Sequence, residues 1–168
     1  MKKFLFLATA LFITSVAFAQ EGKAKPSPAA TATSKVGDKT VTIVYAQPAV
    51  KGREVWGKLV PYDAVWRTGA NDATTFEVDK DVKIEGQALK AGKYSLFTIP
   101  TKGGEWTIIF NSVAKQWGAY SYDATKDVLR VKVKSSKSKE MTERMTFDIK
   151  GNMVNLAWEN LAVAFKVQ

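Results

Sequence analysis

Large apolar side chains fall at every second position through much of this chain, the period of a β-strand that buries one face. Between Lys39 and Ala46, the residues Val41, Ile43 and Tyr45 alternate with Thr40, Thr42 and Val44. Short strand candidates follow at 74–78 and 82–84, then a turn at Gly86, then 93–99, stopped by Pro100. The pair Gly103 and Gly104 predicts a hairpin leading into 105–110. There Trp106, Ile108 and Phe110 share one face, while Thr107, Ile109 and Asn111 share the other. Strict alternation returns at 128–134, with Leu129, Val131 and Val133 inward and Arg130, Lys132 and Lys134 outward.

Met145, Phe147 and Ile149 mark a further strand, and a turn around Asn152 joins it to 154–158. Leu161, Val163, Phe165 and Val167 complete the last strand. The lysine-rich run 132–139 is expected as a solvated strand edge and hairpin loop, its charges opposing edge-to-edge aggregation. No segment carries the periodicity of an amphipathic helix of ordinary length. About nine short antiparallel strands with turns between them predict an all-β fold, a β-sandwich with a closed barrel as the alternative.

Two stretches break the alternation. The first, 51–75, reads KGREVWGKLVPYDAVWRTGANDATT and packs Arg53, Trp56, Tyr62, Trp66, Arg67 and Asn71 among three glycines and a proline. Gly57 limits any helix at 54–60 to a single turn. The second, 111–127, carries Trp117, Tyr120 and Tyr122. Aromatic, polar and charged groups gathered in irregular segments between strands are where binding or chemistry sits. An arginine fork suits carboxylate, phosphate or sugar hydroxyls, and aromatic faces stack on sugars. The same residues have structural uses: Arg67 could tie its loop to Asp63, Asp72 or Glu54, and the tryptophans could cap the core.

Composition narrows the chemistry. The chain has no histidine and no cysteine. That excludes Ser-His-Asp and Cys-His nucleophiles, His-ligated zinc, disulfides and lipid attachment through a cysteine. A calcium loop of the D-x-D-x-D-G kind is missing, and the spread of Asp63, Asp72, Asp79, Asp81, Asp123 and Asp127 predicts solvated turns, so no metal and no cofactor are expected. Ser112 and Lys115 match S-x-x-K without the partner motifs that spacing needs.

The formal charge is +9. At the N-terminus, Lys2 and Lys3, an apolar run and Ala17-Phe18-Ala19 predict a signal peptide over residues 1–19. Its removal leaves 23 basic against 16 acidic residues, +7. Residues 20–34, small, polar and proline-containing, predict a flexible linker whose final residues can join the first strand, and 35–168 a single domain. The chain is therefore expected to be exported, periplasmic or secreted, soluble and not a lipoprotein, with no membrane span after the signal. Positive charge in an exported protein favours anionic envelope polymers or lipid head groups over nucleic acid.

The stretches KGREVWGKLVPYDAVWRTGANDATTF, LKAGKYSLFTIP, EWTIIFN, QWGAYSYD and DVLRVKV resemble the domain-of-unknown-function 2911 family, over roughly residues 34–147. The resemblance implies an exported bacterial protein with one compact β-rich domain, and it carries over no catalytic residue. The leading expectation is a non-catalytic binding module for a glycan or anionic envelope ligand, using the 51–75 and 111–127 loops. The alternatives are a hydrolase that works through carboxylates without His or Cys, and a structural or partner-binding envelope protein.

Overall fold

The computed structural model describes residues 27–168, and strands account for nearly all of its regular structure. The expected signal peptide and the first part of the expected linker lie outside the described residues. The chain enters as β1 (Ala29–Val36), paired along its whole length with β2 (Lys39–Ala46). The last six residues of the 20–34 linker are therefore strand. They have no large apolar group, but main-chain pairing needs none, and Ala30 and Ala32 pack on the core.

After the first long loop come β3 (Thr75–Val78), β4 (Val82–Ile84), β5 (Gln87–Leu89), β6 (Gly92–Ile99) and β7 (Glu105–Asn111). The second loop leads through a single 3-10 turn, Ala124–Lys126, into β8 (Asp127–Lys150) and β9 (Met153–Lys166). Seven strands make one antiparallel sheet in the order β1-β2-β3-β6-β7-β8-β9, and β4 and β5 form a separate hairpin. The all-β, antiparallel expectation holds, and the main sheet curls into a half-barrel beside that small second sheet. Residues 48–50 draw its two sides together. Val50 N–H donates to Glu143 O (2.8 Å) and Met145 N–H to Pro48 O (3.0 Å).

The inner face holds the main core. Val41, Ile43, Phe76, Leu96, Ile108 and Phe110 are essentially sealed from solvent there, as their alternation predicts. At one end four tryptophans meet: Trp56 lies edge-on to Trp66, Trp106 and Trp158 at centroid distances of 5.9, 5.1 and 5.7 Å, and Trp66 stacks on Trp158 at 5.8 Å. Such pairs contribute about 0.5–1.5 kcal/mol each beyond their buried area.

Two expected turns are absent. The lysine-rich run 132–139 is not a hairpin loop: β8 runs straight through it, because its first part pairs with β7 and its second part with β9. Lys132, Lys134, Lys137 and Lys139 are exposed along that strand, as solvated edge lysines should be. Likewise 154–158 and 161–167 join in β9. Inward Val154, Leu156 and Trp158 are followed by inward Val163 and Phe165, so the alternation slips one place. The slip falls around Glu159, whose φ is +55, where the pairing with β8 is irregular. Among the described residues no helix is long and apolar enough to cross a membrane.

Candidate functional site

The outer face of the sheet is covered where β6 and β7 run side by side. Phe97 and Ile109 point outward there and, with Ala73, form a second, smaller core roofed by Val65, Ala119 and Tyr122. The roof consists of the two irregular stretches, 51–75 and 111–127. They bind each other through the main chain: Ala73 N–H donates to Gln116 O (2.9 Å) and Gly118 N–H to Asn71 O (3.0 Å). Two loops some forty residues apart in sequence are thereby one surface.

The WRTGAN segment is held tightly. Trp66 and Thr98 exchange main-chain bonds (2.8 and 3.0 Å), and the buried Thr68 hydroxyl bonds to the Thr98 hydroxyl at 3.2 Å. Thr68 and Asn71 take positive φ, and the Thr74 hydroxyl donates to Thr68 O at 2.7 Å. Gly69 is needed for close approach. A Cβ there would lie 3.1 Å from both Ala46 O and Thr74 Oγ1.

A cleft of about 420 Å³ opens between this roof and the outward surface of β2, β3 and β6. Val44, Asn71, Thr75, Lys93, Gln116 and Trp117 contribute to its walls. Trp117 is 63% exposed, far more than any other tryptophan in the structure, and Val44 adds exposed apolar surface to the same cleft. Lys93 is neutralised by Glu77 at 3.2 Å.

Two of the residues lining the cleft carry a buried polar atom with no partner among the described residues. Gln116 is 7% exposed; its Nε2 donates to Asn111 Oδ1 and Val113 O, while its Oε1 accepts nothing. The buried Thr75 Oγ1 is likewise unpartnered. A buried polar atom left without a hydrogen bond costs about 1–3 kcal/mol, so most native structures avoid it.

A smaller pocket of about 290 Å³ adjoins the cleft and shares Ser27, Ala70 and Asn71 with it. Arg53, Arg67 and Trp158 form part of its wall. The ridge between the two is pinned by the Asn71 side-chain amide, which donates to Ser27 O at 3.4 Å. Arg67 makes no ion pair with Asp63, Asp72 or Glu54 among the described residues. Its Nε is buried and has no partner among the described residues, and the same is true of the indole N–H of Trp158.

Arg53 folds back on its own loop, donating to the Ala49 and Val50 carbonyls. Trp56 and Trp66 belong to the tryptophan cluster, and Tyr62 lies over Gly57, where a Cβ would sit 2.9 Å from its ring. Tyr120 is 85% exposed and covers Gly118 beside Arg67 Nη1.

Tyr122 turns away from the cleft: its ring packs edge-on to Phe97 and its hydroxyl donates to Asp127 (2.5 Å) while accepting from Arg130 (2.7 Å). Burial first, and the Asp127 carboxylate second, push the Tyr122 phenol up to about 12. The Ser112 hydroxyl donates to Lys126 O, which occupies the hydroxyl of the S-x-x-K match. Among the described residues no three carboxylates gather where they could hold a metal.

Sequence reasoning passed over Thr75, Gln116, Lys93, Val44 and Trp158. Thr75 and Val44 look like ordinary outward strand positions, and Trp158 like an ordinary core position. Gln116 lay inside the second flagged stretch, as an unremarked neutral neighbour of Trp117, and Thr75 closed the first.

The chain is thus a half-barrel with a two-loop roof and two adjoining recesses. The chain belongs to the family described as a protein of unknown function (DUF2911), whose model matches residues 27–167. No curated protein and no solved structure matches the chain.

Proposed function

We propose that this protein is a non-catalytic binding module of the bacterial envelope and that its ligand is a hydroxyl-rich glycan held in the 420 Å³ cleft. One observation carries the reading: an exposed indole face, Trp117, stands beside the unpartnered Gln116 Oε1 and Thr75 Oγ1. Sugars present that combination, an apolar ring face for stacking and hydroxyl donors at its edge. The unmatched amide oxygen asks for a donor, which favours a polyol over a bare anion at this position. Export, implied by residues 1–19, is part of the reading.

Binding is favoured over hydrolysis by the walls themselves. Among the described residues lining the cleft, Asp72 is the single carboxylate. Glycoside hydrolysis uses two carboxyl groups flanking the bond.

Calorimetric titration against neutral and acidic oligosaccharides tests the proposal. A saturable heat that disappears in Trp117→Ala, with the variant's melting temperature unchanged, is the expected result. Turnover of any oligosaccharide in the panel, or full affinity in Trp117→Ala, would overturn it.

A further inference from the structure

The pocket next to the cleft has the opposite unmet chemistry. Its lining includes Arg53, Arg67 and Trp158. Among the described residues the buried Arg67 Nε and Trp158 Nε1 donors meet no acceptor, and Trp158 is 1% exposed. No carboxylate is among its lining residues, so the guanidinium charge there meets no counter-charge in the wall. Arg53 adds a second guanidinium, held by the Ala49 and Val50 carbonyls. Two arginines and an indole N–H, with buried donors unpaired, match an oxyanion: charge-assisted bonds from guanidinium are the strongest such a group can accept.

We propose that this pocket binds a carboxylate carried by the glycan in the adjoining cleft, so that the ligand is an acidic sugar chain. The inference rests on the glycan reading above and adds the ligand's charge. The shared wall of Ser27, Ala70 and Asn71 makes the two recesses neighbours, so one short saccharide reaches both. In this arrangement Trp117, Gln116 and Thr75 receive the ring and hydroxyls, and Arg67 receives the acid.

The experiment compares three probes on the unmodified protein by calorimetry: an oligogalacturonate, its methyl ester, and inorganic phosphate. The expected result is that the free acid binds roughly tenfold or more tightly than the ester, since esterification removes the charge that strengthens the hydrogen bonds. Arg67→Gln should erase that difference while leaving ester binding in place, and Arg67→Lys should restore part of it. Equal affinity for acid and ester would overturn the carboxylate assignment and leave the glycan reading standing. Binding of neither saccharide would overturn both. Arg67-dependent binding of inorganic phosphate, with no gain from the sugar, would assign the pocket to a free oxyanion and overturn the acidic-glycan form. The acid-ester comparison needs no variant, so the test survives if Arg67→Gln fails to fold.

Discussion

Replacing Asp127 with alanine should loosen the second loop without touching the cleft wall. The carboxylate side chain is 7% exposed. Its Oδ1 accepts from Asn111 Nδ2 at 2.8 Å, and its Oδ2 accepts from the Tyr122 hydroxyl at 2.5 Å and from Arg130 Nε and Nη2 at 2.8 and 2.7 Å. Bonds to a charged group contribute about 1.5–3 kcal/mol each when shielded from water. The Asn111 and Tyr122 bonds qualify at the lower end, because Asn111 keeps its second bond, to Asp123 O. Arg130 is 45% exposed, so its ion pair is screened and adds about 0.5 kcal/mol.

The expected loss is about 3 kcal/mol, or roughly 6–12 °C in Tm for a chain of this size. Urea unfolding followed by tryptophan fluorescence measures it, with the midpoint falling at constant slope. Asp127→Asn keeps the shape and one acceptor and should lose about half as much. A loss below about 1 kcal/mol in Asp127→Ala would refute the reasoning. It would mean that desolvation of the carboxylate cancels its bonds and that the Phe97–Ile109 core alone holds the roof.

Gly118 has φ +65, and a Cβ there would lie 2.9 Å from the Tyr120 ring. Gly118→Ala should cost about 1 kcal/mol, the left-handed strain, because the exposed Tyr120 ring can swing clear. Denaturant titration would register it, and saccharide affinity should fall with it. Trp117→Ala should leave stability within about 0.5 kcal/mol, as expected of a surface side chain, and thermal unfolding checks this.

Stability against pH should be level between about pH 5 and 9, since no histidine is present. On the acid side Asp38, bonded to Lys80 and Lys39, is held down to about 2, and Thr40, Lys90 and Thr125 hold Asp79, Asp81 and Asp123 low. Carboxyls depressed by folding add stability that is present above about pH 4 and lost as the pH falls toward 2. A phenol raised by folding, Tyr122, adds stability present below about pH 10 and lost as the pH climbs toward 12. Unfolding midpoints taken across that range test both limbs, and a midpoint that holds steady from pH 4 to pH 2 would contradict the first.

Much of this protein was written locally. Val41, Ile43 and Tyr45, then Trp106, Ile108 and Phe110, then Leu129, Val131 and Val133 each announced a strand and its buried face, because burying one face of a pleated strand is a demand each segment meets by itself. The breaks in that rhythm announced both loops. The sequence could not show which strand lies beside which. That β3 pairs with β6 across the excluded β4–β5 hairpin, and that β8 trades one partner for another at its lysines, depends on contacts distant in the chain.

The same limit governs the site. Trp66 and Trp117 look alike in sequence, each an aromatic in an irregular stretch. Curling of the sheet carries Trp66 into the tryptophan cluster and leaves Trp117 exposed over the cleft. Whether a buried Gln116 oxygen or an Arg67 nitrogen finds a partner depends on every group that folding brings within about 3 Å, and only the tertiary structure decides that.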